Sequence, residues 1–210
     1  MSDLTGFAPS PSAAPEIARD VREYFQKTVS SAVTHQRVDA SEDAVYYLVN
    51  LLAQFMRADA LFECTADGVC IKPLALCYAD AVQAESRRAR HQALKKLGDV
   101  ALLIAGMFSA SLNRKLVGLD YYIAMGGSAY GFLSTGTSGA PARVFGELSA
   151  KFQAFVDVLG EVSDGSSLRA PPDVLRLYEN WARTGSRRAA SQLRALGIEP
   201  AVGSLSLKPM

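Results

Sequence analysis

The stretch "LDYYIAMGGSAYGFLS", residues 119–134, carries one charge, Asp120, and no proline. Its near-continuous apolar character predicts a buried helix. Yet it holds Gly126, Gly127 and Gly131, and each interior glycine costs a helix about 1 kcal/mol relative to alanine. Packing must offset that cost. Gly127 and Gly131 lie one turn apart with Ala124 and Ser128 beside them. They form a strip almost without side chains, which lets another helix backbone approach closely and gain dispersion contacts. The expected partner is the run Val100–Phe108, whose Ala101, Ala105 and Gly106 are also small. The short connector between the two runs predicts antiparallel neighbours. A ligand lying against the bare backbone and a self-association face are the alternatives for the same strip.

Outward from this stretch the chain keeps its helical period. Pro15 opens a helix with Ile17, Val21, Tyr24, Phe25 and Val29 on one face. Ser41 caps a second, "AVYYLVNLLAQFM", which is apolar nearly all round and therefore expected to be central; it ends near Arg57. Asp67-Gly68 is a turn signal between two short runs, so residues 61–72 allow at most one short β-hairpin. Pro73 begins a long helical pattern reaching Leu97, with Gly98 as a bend or interruption before "DVALLIAGMF", and Asp99 at the start of that second helix. Residues 142–162 form one amphipathic helix, and "DVLRLYENWARTG" and "RRAASQLRALG" form a C-terminal pair anchored by Trp181 and Leu193. The fold class is mainly α, a bundle of about seven helices. Residues 1–13 read as a flexible leader, 14–165 as the helical core domain, and 166–210 as a helical pair and tail docked on it.

Composition excludes more than it assigns. Lys plus Arg number 22 and Asp plus Glu 21, so there is no global pull toward nucleic acid or an anionic surface. The N-terminus has no basic and apolar secretory pattern. The longest uncharged apolar run, Val100 to Leu112, falls short of the ~20 residues needed to span a bilayer. The expected compartment is the cytoplasm, with Cys64, Cys70 and Cys77 as reduced core residues.

Three chemistries fail on residue type. Only His35 and His91 are present, and Ala32 and Arg88 precede them where a di-iron bundle needs Glu. The cysteines have no Cys-x-x-Cys pair and no nearby His, so no metal and no cofactor is expected. In "GGSAYGFL" the glycines have phosphate-loop spacing, but Phe132 and Leu133 stand where Lys and Ser/Thr are required. "GGSAYG" is not a nucleophile elbow, and Ser128 reads as a packing residue. No catalytic residue is assigned.

Two basic segments remain. "ESRRARHQALKK" puts Arg87, Arg88, His91 and Lys95 along one side of a helix, widened by Arg90 and Lys96. A solvated face is the plainer reading; an anion or nucleic-acid patch, or Arg88 and His91 turned inward to a ligand, are the functional ones. The C-terminal pair, with Arg183, Arg187, Arg188 and Arg194, has helix-turn-helix proportions but offers few groups to read bases. Asp99, Asn113, Arg114, Lys115, Asp120, Tyr121 and Tyr122 gather polar groups around the two central runs, at opposite ends if those are antiparallel.

The segment "LGDVALLIAGMFSASLNRKLVGLDYYIAMGGSAYGFL", with "YYLVNLLAQF" before it and "WARTGSRRAASQLRALGIEP" after it, resembles a group of bacterial helical proteins of unknown function. The resemblance spans roughly Ser41 to Pro200. It implies a bacterial, cytoplasmic, helical protein and brings no activity with it. The first functional expectation is therefore a non-enzymatic protein acting by protein–protein interaction or self-association as a homodimer. The alternative is a small-molecule-binding or enzymatic bundle with a pocket against helix 119–134, lined by Arg88, His91, Tyr122, Gly127, Tyr130 and Gly131. A DNA-associated regulator is the third.

Overall fold

The computed structural model describes residues 13–56, 62–65, 68–71, 73–108, 118–166 and 174–200. The leader before residue 13, the connector with Asn113, Arg114 and Lys115, Pro171, Pro172 and the tail beyond residue 200 lie outside them. The architecture is mainly α. Nine helices stand among the described residues, two more than the sequence period predicts. They are α1 (Ala13–His35), α2 (Glu42–Phe55), α3 (Leu74–Gln83), α4 (Arg87–Met107), α5 (Leu119–Gly136), α6 (Ala140–Ala150), α7 (Phe152–Ser166), α8 (Val174–Thr184) and α9 (Arg187–Ala195). Strands β1 (Phe62–Thr65) and β2 (Gly68–Ile71) pair antiparallel, with Phe62 opposite Ile71 and Thr65 opposite Gly68.

The helix boundaries differ from the expected ones at breaks that hydrophobic periodicity does not register. The expected helix from Pro73 to Leu97 stops at Gln83, because Ser86 takes the N-cap role and its hydroxyl accepts the Ala89 N–H at 3.1 Å. Gly98 interrupts nothing: α4 runs through it to Met107, and Asp99 is therefore mid-helix rather than at a helix start. The expected helix 142–162 is likewise two, α6 and α7, parted at Lys151. Its residues keep the apolar period on both sides of the break, so the pattern reads as continuous.

The centre of the molecule is the second half of α4. Every residue from Leu97 to Gly106 is buried, and α4 packs against α3, α5 and α7. The expectation that α2 is central is corrected. Its Leu48, Val49, Leu51 and Leu52 are buried, but Tyr46 is 64% exposed, and α2 lies against α1 and α6 at the side. Apolar content alone does not distinguish a surrounded helix from one with an apolar outer face.

α4 and α5 are antiparallel neighbours, since Gly98 meets Tyr130 while Ala101 meets Gly126. A Cβ at Gly98 would come within 2.6 Å of the Tyr130 ring, and one at Gly126 would overlap the Phe152 ring and reach 2.8 Å from the Ala101 Cβ. Gly126 meets Phe152 of α7 and Ala101 of α4, whereas the strip expected to face α4 does not: Gly127 and Gly131 face Ser149 of α6, and Ala124 and Ser128 are exposed. Ser149 donates to the Gly127 carbonyl at 2.7 Å, and Gly106 packs against Leu159 of α7 instead of α5.

Candidate functional site

Asp99 is the acid that α4 carries into the core, at 8% exposure. A buried carboxylate without partners is strongly disfavoured, and three side chains from three helices supply them. Tyr47 of α2 donates its hydroxyl to Oδ1 at 2.5 Å, and Tyr130 of α5 donates to the same oxygen at 2.7 Å. Lys95, one turn earlier on α4, donates to Oδ2 at 2.6 Å. Burial, and then the neighbouring Asp99 carboxylate, push both tyrosine hydroxyls well above the ordinary tyrosine range. Both remain donors at any physiological pH.

The rings of these tyrosines form a box with α6. Tyr130 stacks on Phe145 at 5.8 Å and 21°, and Tyr47 meets both edge-on, at 6.1 Å from Tyr130 and 5.9 Å from Phe145. The Lys95 ammonium lies 5.1 Å from the centre of the Tyr47 ring, within cation–π range.

Beside this cluster runs a trough. A cavity of about 560 Å³ is bounded by Asp43, Tyr46, Tyr47 and Asn50 of α2, by Ala140, Pro141, Val144 and Phe145 of α6, and by Leu51, Gln54 and Lys95. A smaller cavity of about 250 Å³ shares Leu51, Gln54 and Lys95 and adds Phe55, Gln92, Lys96, Asp99 and Leu103. The larger cavity lies between α2 and α6 and the smaller between α2 and α4, and Leu51, Gln54 and Lys95 border both. The larger part falls in the size range of small-molecule sites.

A second buried acid, Asp157 on α7, fixes the C-terminal pair. Its Oδ1 accepts from Ser186 Oγ at 2.7 Å and from Gln153 Nε2 at 3.0 Å, and its Oδ2 from the Arg188 backbone N–H at 3.3 Å. Asp157 thereby supports the N-terminus of α9, where helix polarity favours a carboxylate. Burial raises its pKa to about 6 against the pull of Ser186, Gln153 and Arg187. A cavity of about 410 Å³ lies alongside, bounded by Gln36, Arg37, Lys151, Gly185 and Arg187 among others. The Gln153 Oε1 buried beside it has no hydrogen-bond partner.

The residues singled out from sequence are not brought to one place. Tyr130 is fully buried in the Asp99 cluster. His91 is half-buried against the Phe145 ring at 5.9 Å, with its Nε2 3.4 Å from Thr137 Oγ1. Arg88 projects to solvent with Arg87 and Arg90, and Lys96 is exposed while Lys95 is half-buried. Tyr122 lies two turns before Tyr130, edge-on to Tyr121 at 5.8 Å. Arg88, His91, Tyr122, Gly127, Tyr130 and Gly131 line none of the three cavities. In the C-terminal pair Leu193 is fully buried, whereas Trp181 is half-buried against Tyr178. Cys77 is buried, at 3% exposure.

Sequence reasoning missed Tyr47 and Asp157. The available signal was a lone acid inside an apolar helical run, "LGDVALL" and "AFVDVLG". Among the described residues no His, Cys, Asp and Glu group is arranged to hold a metal ion, and no helix is long and apolar enough to cross a membrane. Comparison of the chain with known protein families, with characterised proteins and with solved structures finds no match.

Proposed function

We propose that this protein is a non-enzymatic binding protein that associates with a second copy of itself through the outer face of α5. One observation carries the reading: α5 has a single charge, Asp120, yet exposes Ala124, Ser128 and Phe132 at four-residue steps, with Phe132 at 59% exposure. Beyond Asp120, which pairs with Arg183, the stripe carries no charge, and small residues beside an aromatic one make it self-complementary. A two-fold partner can seat its Phe132 over the Ala124–Ser128 shelf and receive the same contact in return. The buried acid best placed for chemistry supports the same reading, because Asp99 spends its lone pairs on Tyr47, Tyr130 and Lys95. A bacterial, cytoplasmic setting belongs to the proposal on the strength of the sequence resemblance. A DNA-associated role is disfavoured by the pairing of Arg183, Arg188 and Arg194 with Asp120, Asp164 and Glu199, which leaves fewer free cations for phosphate.

Light scattering over a dilution series tests the proposal. The wild-type chain is expected to be a dimer that dissociates on dilution, and Phe132→Glu a monomer throughout with unchanged helicity. A wild-type protein that is monomeric at every concentration overturns it.

A further inference from the structure

The trough along α2, made of two adjoining cavities that share Leu51, Gln54 and Lys95, has two unlike ends. Its larger part is walled by Leu51, Val144, Pro141 and the Tyr47 and Phe145 rings. Its smaller part presents Lys95, Lys96, Gln54 and Gln92, all hydrogen-bond donors, two of them cationic. Asp99 is the one acid there, and its oxygens already accept Tyr47, Tyr130 and Lys95. Lys95 gives Asp99 one of its three N–H bonds and has others to direct into the cavity.

The wider field has the same sign. From Arg87 to Lys96, α4 carries Arg87, Arg88, Arg90, Lys95 and Lys96 and no acid. Arg87, Arg88 and Arg90 occupy the first turn, the end of the helix where its dipole disfavours cations. Folded-state stability gains nothing from that placement, whereas attraction of an anion does. Asp43, the other acid bordering the trough, is on the first turn of α2, eleven residues before Gln54 and about 16 Å away along the helix.

We infer that this trough binds a single-chain amphiphilic anion of the fatty-acid type. Its carboxylate sits at Lys95 and Lys96, and its apolar body lies along Leu51 and Val144 over the Tyr47 and Phe145 rings. The apolar wall accounts for the body and the paired cations for the head. Asp43 at the far end sets the orientation by repelling the head group. The site shares no residue with the outer face of α5, so it stands independently of self-association.

Three amphiphiles with one tail and different heads make the test: decanoate, decanol and decyltrimethylammonium, titrated calorimetrically below their micellar concentrations. Decanoate is expected to bind the wild-type protein about tenfold more tightly than decanol, as one charge-assisted contact supplies, and decyltrimethylammonium more weakly than either. Lys96→Met, which leaves the Lys95–Asp99 pair intact, is expected to remove most of the decanoate advantage without moving decanol. Val144→Trp, which fills the larger cavity, is expected to abolish binding of both. Equal affinity for all three heads, or no binding of decanoate to the wild-type protein, overturns the inference. Both outcomes are read on the unmodified chain, whatever the variants do.

Discussion

Asp99 and Asp157 are each the sole acid in an apolar helical segment, and each is held by donors from other elements. Hydrogen bonds to a charged, buried acceptor contribute more than neutral ones. Tyr130→Phe removes one from Asp99 while keeping the ring, and is expected to lower unfolding stability by about 1.5–3 kcal/mol, as urea titration would measure. Asp157 behaves differently because burial, not pairing, dominates its titration. Between about 4, its ordinary value, and about 6, its raised one, the folded chain holds a proton there that the unfolded chain has released. Its contribution to stability therefore falls as pH rises through that window and levels off above it. Asp157→Asn is expected to remove this decline, seen as a flatter stability profile between pH 4 and 6 relative to wild type. Glu147 acts with the opposite sign. Its burial is outweighed by the Ser41 hydroxyl and N–H and by Lys151, so its pKa is lowered. Its contribution is present at neutral pH and lost in acid, in wild type and variant alike, so it cancels from the comparison.

At the scale of elements, the glycines of α4 and α5 determine how closely the helices pack. Gly126→Ala gains about 1 kcal/mol of helix propensity but drives a Cβ into the Phe152 ring. Overpacking of this kind costs about 1–3 kcal/mol. Net destabilisation is expected in thermal unfolding, with Gly165→Ala, which meets nothing within 4 Å, neutral or stabilising as the control. The turn between α8 and α9 rests on Gly185 at φ +67°, on Ser186 as N-cap, and on the Ser186–Asp157 bond. Ser186→Ala removes the cap and one Asp157 partner together. Amide exchange in α8 and α9 is expected to accelerate while α4 and α7 stay protected. Uniform acceleration across all helices would instead show that the pair unfolds only with the core.

For the whole molecule, α4 is the axis, with α3, α5 and α7 around it and α2 and α6 closing over the Asp99 cluster. The helix that supplies the core in its second half presents cations in its first, so one element connects the packed centre to the trough. The proposed dimer face on α5 and the proposed ligand trough along α2 share no residue. Self-association and ligand binding are therefore expected to be separable, with Phe132→Glu altering the light-scattering mass and leaving decanoate binding in place.

The period of apolar residues determined the mainly α architecture, the amphipathic faces of α1, α6 and α7, and the antiparallel packing of α4 on α5. These follow from local spacing and a short connector. Ser41 was legible as a cap because its hydroxyl acts on its own helix, at 3.1 Å from the Ala44 nitrogen. The break at Lys151 was not legible, because the apolar period continues across it; the one at Gln83–Arg87 falls in a polar, solvent-facing stretch where there is no apolar stripe to mark it. Only the tertiary structure decided which residues meet Asp99. The lone acid in "LGDVALL" announced that partners must exist, but Tyr47 lies 52 residues before it and Tyr130 31 after. Contacts between distant segments are set by how faces pack, and sequence spacing records only what lies on the same face of one helix.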